Sequence, residues 1–171
     1  ENVHREFATQ RKSINLVAKQ KIAQKALSLI KDDYVVFLDI STINIELAYL
    51  IVKSNLKAII LTIRLEIVNI LAKSNIRGIF IGGEFDFGKD GFVGSLTIEM
   101  LKNFRFDLAF MGVVSVDIHD NAVTTYMAND GITKKEVLNI SRKSYMMAES
   151  EKLKQSGSYK YANIEDFQGI I

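Results

Sequence analysis

Residues 12–31 read KSINLVAKQKIAQKALSLIK, with Ile14, Val17, Ala18, Ile22, Ala26, Leu29 and Ile30 returning every three or four positions. That spacing predicts a helix with one apolar face. Asp32 and Asp33 break the pattern, and the β-branched and aromatic run YVVFLD predicts a buried strand ending at Asp39. In STINIELAYLIVKSN, Ser41 or Thr42 is placed to cap a helix whose apolar face holds Ile45, Leu47, Ala48 and residues 50–52. The alternation continues with AIILT as a strand, LEIVNILAKS as a helix, RGIFIGG as a strand closed by a glycine turn, LTIEMLKNF as a helix and FDLAFMG as a strand. A helix is expected over about 132–141 with Lys134, Lys135 and Glu136 on its wet side. SYMMAE is expected as a strand, and NIEDF as a helical turn feeding a final strand at GII. Apolar strands without strict alternation, each followed by a helix, predict an α/β fold: a mostly parallel sheet with helices on both faces.

A chain of 171 residues with 48% hydrophobic composition suits one domain with a full core. It holds no cysteine, which excludes disulfides, thiol nucleophiles and cysteine-ligated metals and fits a cytoplasmic location. No apolar run approaches the roughly 18 to 20 residues that a membrane span needs, so no membrane partner is expected. The formal charge of +2, with no basic stripe, argues against nucleic-acid binding by these residues themselves. The first dozen residues are polar and weakly periodic and read as an arm or linker. Because the first residue is Glu1, a segment is expected upstream.

Ligands of an open parallel sheet collect at the carboxyl ends of its strands, where helix N-termini offer unpaired N–H groups. Four segments reach that edge. Asp39, Ser41 and Thr42 either cap the following helix or hold an anion, and the two roles are compatible. Thr62 ends AIILT. Gly82 and Gly83, followed by Glu84, give either close backbone approach or only a tight turn. Thr124 and Thr125 lie near Asp130, Lys134 and Lys152, whose ammonium groups either meet an anionic ligand or stay in solvent. Neither G-x-G-x-x-G nor G-x-x-x-x-G-K-[ST] occurs, and no nucleophile elbow is present. His4 and His119 lack metal-ligand spacing, and SVDIHDN around His119 reads as a polar loop. Neither a metal nor a cofactor is expected.

The segments KQKIAQKALSLIKDDYVVFLD, FIGG with GFVG after it, FDLAFMG, VTTYMANDGITKKEV and MMAESEKL, in this order, resemble the C-terminal effector-binding domain of the DeoR family of bacterial sugar-metabolism regulators. The resemblance runs from about Lys19 to Ile171. It implies a fold like that of ribose-phosphate isomerases and CoA-transferases, and a repressor domain that senses a phosphorylated sugar or related metabolite. It also implies self-association as a dimer or tetramer, and operator DNA bound only through a winged helix-turn-helix upstream of residues 1–12, with 13–171 as the sensor. The family pattern Asp-x-Gly-Thr-Thr survives here as Asp39 and Thr42, with Ser41 for the glycine and Ile43 for the second threonine. A Thr-Asn-Ser run becomes Thr62, Ile63 and Arg64. Gly82 and Gly83 remain, but the family's following arginine is Asp86. A polar turn becomes Val113, Val114 and Ser115, a glutamate becomes Asp130 beside a retained Lys134, and Asp-Ser-Ser-Lys becomes Glu149, Ser150, Glu151 and a retained Lys152.

The resulting candidate ligand residues are Asp39, Ser41, Thr42, Thr62, Arg64, Gly82, Gly83, Asp130, Lys134 and Lys152. If Asp86 faces the pocket it repels phosphate, and Arg64 is positioned to restore a positive charge. The competing readings are an assembly module with a degenerate pocket, and a sugar-phosphate isomerase using Asp39, Asp130 or Lys152 as an acid or base.

Overall fold

The computed structural model describes residues 15–148 and 157–171. Its centre is a six-stranded parallel sheet in the order β11-β9-β6-β1-β2-β3. The strands are β1 (Val35–Leu38), β2 (Ile59–Thr62), β3 (Arg77–Phe80), β6 (Phe106–Gly112), β9 (Ser141–Met147) and β11 (Gly169–Ile170). β1 pairs Val35 with Ile59 and Leu38 with Thr62 on one side, and Leu38 with Phe110 on the other. The carboxyl ends of β1, β2 and β6 therefore lie side by side.

Successive side chains of a strand point to opposite faces, and β1 supplies both cores. Val36 and Leu38 join α1 (Leu16–Leu29), α2 (Thr42–Lys53) and α3 (Leu65–Ala72) in one cluster, with Ala23, Ala26, Leu47, Ile51 and Ile67. Phe37 turns to the other face, stacks on Phe106 with ring centroids 5.1 Å apart, and meets Leu101 of α4 (Ser95–Leu101) and Val137 of α5 (Ala128–Ile140). Helices thus cover both faces, as the apolar strand runs predict.

Other features depart from expectation. The segment after β6 carries an antiparallel sheet, β10-β8-β7, made from β7 (Ser115–Asp117), β8 (Ala122–Thr125) and β10 (Tyr159–Ala162). The polar loop expected around His119 is therefore the exposed turn joining β7 to β8. Beyond the double glycine, β4 (Glu84–Phe85) and β5 (Phe92–Val93) form a short hairpin. α5 begins four residues before the expected start. Its first turn is held by tertiary contact rather than apolar spacing: a Cβ on Gly131 would stand 2.4 Å from the Tyr159 ring. In α1 the buried stripe is Lys19, Ala23 and Ala26, at i, i+4 and i+7, while Val17 lies off it and is exposed. Ile14 and the expected linker over 1–12 lie outside the described residues, as do His4 and Lys152. Among the described residues no helix is long and apolar enough to cross a membrane.

Candidate functional site

β1 ends by delivering Asp39 into the space between α2, β6 and α5, where it is 1% exposed. One carboxylate oxygen, Oδ1, accepts from the Ser41 backbone N–H at 2.9 Å and from Asn44 Nδ2 at 2.8 Å. The other, Oδ2, accepts from the Gly112 N–H at 2.8 Å and lies 3.8 Å from the Lys134 ammonium. Gly112 is required here, since a Cβ would come 2.3 Å from that of Ser41. The Ser41 hydroxyl accepts from the Ile43 N–H and caps α2, so this side chain performs the capping role.

Lys134 is the principal correction to the sequence reading. It is 6% exposed, not on the wet side of α5, while its neighbour Lys135 is exposed. Its Nζ donates to the Gly112 carbonyl at 2.7 Å, stands 3.8 Å from Asp130 Oδ2 and lies 5.7 Å from the Tyr161 ring centroid. Burial alone would push the ammonium's pKa down, but Asp130, Tyr161 and Asp39 outweigh it and hold the pKa above that of a free lysine. Burial likewise pushes the Asp39 carboxyl up, opposed by Lys134 and the Ser41 and Gly112 N–H groups. The Tyr161 phenol is pushed up to about 12 by burial, against the pull of Lys134. Among the described residues its hydroxyl has no hydrogen-bond partner. Asp130 is 22% exposed and accepts from the Thr125 hydroxyl at 2.7 Å.

The structure therefore gathers Asp39, Ser41, Thr42, Asp130 and Lys134 at one edge. Thr42 opens α2 and is half-buried. Thr62 is committed to the backbone, donating to the Leu38 carbonyl at 2.8 Å and accepting from the Arg64 N–H. Arg64 is 5% exposed; its guanidinium donates to the Ile40 carbonyl and lies 3.7 Å from Glu66, and Nε has no partner among the described residues. Gly82 offers its carbonyl to the Thr97 hydroxyl, and Gly83 packs so closely that a Cβ would overlap Thr97. Asp86 closes the hairpin turn by accepting from the Asp90 and Gly91 N–H groups. Burial first, and the charges of Asp90 and Asp130 after it, raise its pKa against the pull of those two N–H groups. Thr124 is turned instead to the Ser115 hydroxyl.

The residues that sequence reasoning missed are Asn44, Gly112 and Tyr161. Asn44 is fully buried on an otherwise apolar helix face and also binds the Phe110 carbonyl at 3.0 Å; a lone amide among Ile43, Ile45 and Leu47 was its available signal.

Between Asp39, Ile40, Ile63, Asp130, Thr133 and Lys134 lies a cavity of about 10 Å³, room for one water. A larger, open groove of about 1210 Å³ runs along residues 54–58 and 73–77. The Ser54 and Ser74 hydroxyls there bond their own helix ends, and the groove lacks the buried charges found at Asp39. Among the described residues no cluster of His, Cys, Asp and Glu could hold a metal.

Residues 14–171 match the family described as the DeoR C terminal sensor domain. Similar curated proteins include the lactose phosphotransferase system repressor of Lactococcus lactis subsp. lactis, 30% identical over 84% of this chain and 56% of its own length. The glycerol-3-phosphate regulon repressor of Escherichia coli strain K12 is 26% identical over 90% of this chain and 61% of its own. The chain thus spans less than two thirds of either relative. Ribose 5-phosphate isomerase A from Methanocaldococcus jannaschii shares the fold, with a TM-score of 0.57 and 20% identity over 81% of this chain and 55% of that one.

Proposed function

Because this chain belongs to the family of DeoR C-terminal sensor domains, we propose that it is a non-catalytic sensor that binds a small hydroxylated metabolite beside Asp39, Lys134 and Asp130. The observation that carries this reading is the buried charge cluster at the carboxyl edge of the sheet. Replacing such a pair by apolar side chains is often neutral or stabilising, so a buried ion cluster contributes little to stability that a hydrocarbon could not. Its placement at the sheet edge where ligands collect supports a binding role.

Sugars and their phosphates are the effector class that the relatives' names support, since two of those proteins regulate lactose and glycerol-3-phosphate systems. A phosphate would sit at the N-terminus of α2, against Ser41 and Thr42, with Lys152 as the cation the family pattern supplies and Arg64 as a second once it leaves the Ile40 carbonyl. Gly82 and Gly83 would then shape the far wall. Occupancy would favour one dimeric or tetrameric arrangement over another and so reposition an operator-binding domain outside these residues, in the cytoplasm.

The test is calorimetric titration of the chain with phosphorylated and unphosphorylated sugars and glycerol 3-phosphate. Micromolar binding of one phosphorylated member, weakened at least tenfold by Lys152→Ala, supports the reading. Binding only of an unphosphorylated member would move the effector class away from phosphates. A folded chain that binds nothing in the panel favours the second reading, an assembly module with a filled pocket. The small cavity and the apolar Ile63 in its wall support that alternative.

A further inference from the structure

A cavity with room for one water cannot receive a sugar, so the sensing reading requires part of its wall to move. Phe37, Met111 and Val137 belong to the core of the sheet and α5 and are at most 1% exposed. Asp39 and Lys134 are fixed by the bonds described above. The remaining wall on the β2 side is Ile40 and Ile63, and the β4–β5 hairpin lies directly against both. The site for a Cβ on Gly91 is 2.4 Å from the Ile63 carbonyl oxygen and 2.8 Å from the Ile40 side chain. Backbone bonds fasten the hairpin there: Phe92 N–H to the Ile63 carbonyl at 3.1 Å, and Leu65 N–H to the Asp90 carbonyl at 3.0 Å, with an antiparallel bridge between Arg64 and Gly91.

Both ends of the hairpin are glycines with positive φ, Gly83 at 153° and Gly94 at 94°. Positions of this kind absorb backbone rotation. Gly94 is tied to the site itself, since its N–H donates at 2.9 Å to the hydroxyl of Thr133, a wall residue one position from Lys134. Where the turn begins, the Asp86 carboxylate accepts from the Asp90 and Gly91 N–H groups, so the turn is closed on itself rather than on the sheet. The outer surface is aromatic: Phe92 packs on Phe80 and Phe85, and Phe85 and Phe87 are largely exposed.

We propose that the β4–β5 hairpin is a strap which unfastens from residues 63–65, hinging at Gly83 and Gly94, to admit the effector to the Asp39–Lys134 site. This rests on the sensing reading above. It adds that access is gated by one short element, and that the same movement displaces the Phe85 and Phe92 rings from Phe80, so occupancy is legible on the outer surface.

The chain contains no cysteine, so a single introduced thiol reports on its own position. Ile63→Cys places a thiol under the strap, and Ile51→Cys places one in the α2 core; both positions are buried. In native buffer, Ellman's reagent should modify the Ile63→Cys chain at least 100-fold faster than the Ile51→Cys chain. Adding Gly91→Ala, which cannot seat against the Ile63 carbonyl, should accelerate the first at least tenfold and leave the second unchanged. Equal rates at the two positions would overturn the strap. Should Ile63→Cys fail to fold, amide exchange in the unaltered chain decides. Leu65 and Phe92 amides exchanging well ahead of the β1–β2 ladder support the proposal, and exchange in step with that ladder rejects it. Neither readout needs a ligand. Fast labelling with an empty titration panel would sink the sensing reading alone, and slow labelling with a bound panel member would sink the strap alone.

Discussion

Lys134 holds its charge in a place where burial opposes it, because Asp39, Asp130 and the Gly112 carbonyl surround its ammonium. Lys134→Met would leave Asp39 buried with N–H donors but without its counter-charge, and breaking such a pair costs about 3–5 kcal/mol. The urea midpoint should fall accordingly, and Asp39→Asn in the same chain should recover part of the loss. A loss under about 1 kcal/mol would mean that solvent reaches the carboxylate. Tyr161 adds a pH dependence. Its phenol ionises near pH 10 when unfolded and at about 12 when folded, and Lys134 also keeps its proton to higher pH in the fold than in the unfolded chain. Above pH 10 the unfolded state therefore binds fewer protons than the folded one, and stability falls as pH rises. Urea midpoints between pH 8 and 11 should show this decline, and Tyr161→Phe should make it shallower. That substitution also removes a buried hydroxyl that has no partner among the described residues, so the melting temperature at pH 8 should hold or rise. Asp39 and Lys134 were legible as candidate site residues from the family pattern. The burial of Lys134 was not, because Lys-Lys-Glu on a helix of weak apolar periodicity reads as a solvated face until β10 and Tyr161 are placed over it.

Elements were legible where a periodic run was long enough to bury a face. The strands FDLAFMG and AIILT and the helix after Ser41 lie where their patterns put them. The two-residue strands β4 and β5 carry no period that a sequence can show, and the antiparallel sheet is built from SVD, AVTT and YKYA, runs too short to establish one. Glycines at the joints between elements are legible only as glycines, while their necessity comes from what lies opposite. At Gly112, a Cβ would overlap Ser41, the residue that caps α2, so Gly112→Ala must push the helix N-terminus away from β6. The cost of such overpacking is about 1–3 kcal/mol, to which a lost cap adds about 1 kcal/mol. Denaturant titration should show that loss, with exchange of the Ile43 and Asn44 amides rising more than that of the β1–β2 ladder. Uniform acceleration across the chain would instead place the strain outside the α2 cap.

At the scale of the whole molecule, the two apolar clusters share β1, β2 and β6, so the chain should unfold as one cooperative unit and respond globally to occupancy. A ligand that binds only the folded state at 100 times its dissociation constant adds about 2.7 kcal/mol to stability. The panel member found by titration should therefore raise the melting temperature in a concentration-dependent way. Regulation demands more than binding. An effector that binds two arrangements of the assembly equally shifts neither, however tight it is. If this domain transmits occupancy through self-association, the association constant measured by sedimentation equilibrium must differ between the free and saturated chain. Linkage fixes the size of that change: the factor by which the effector alters association equals the factor by which association alters effector affinity, and couplings of this kind run roughly 5- to 150-fold. Titrations at protein concentrations above and below the association midpoint supply the second factor independently. Agreement of the two would identify assembly as the output of the site. An association constant indifferent to a bound effector would place the output elsewhere, and the aromatic surface of the strap, with Phe85 and Phe87 outermost, would be the next face to follow by fluorine labelling as the site fills.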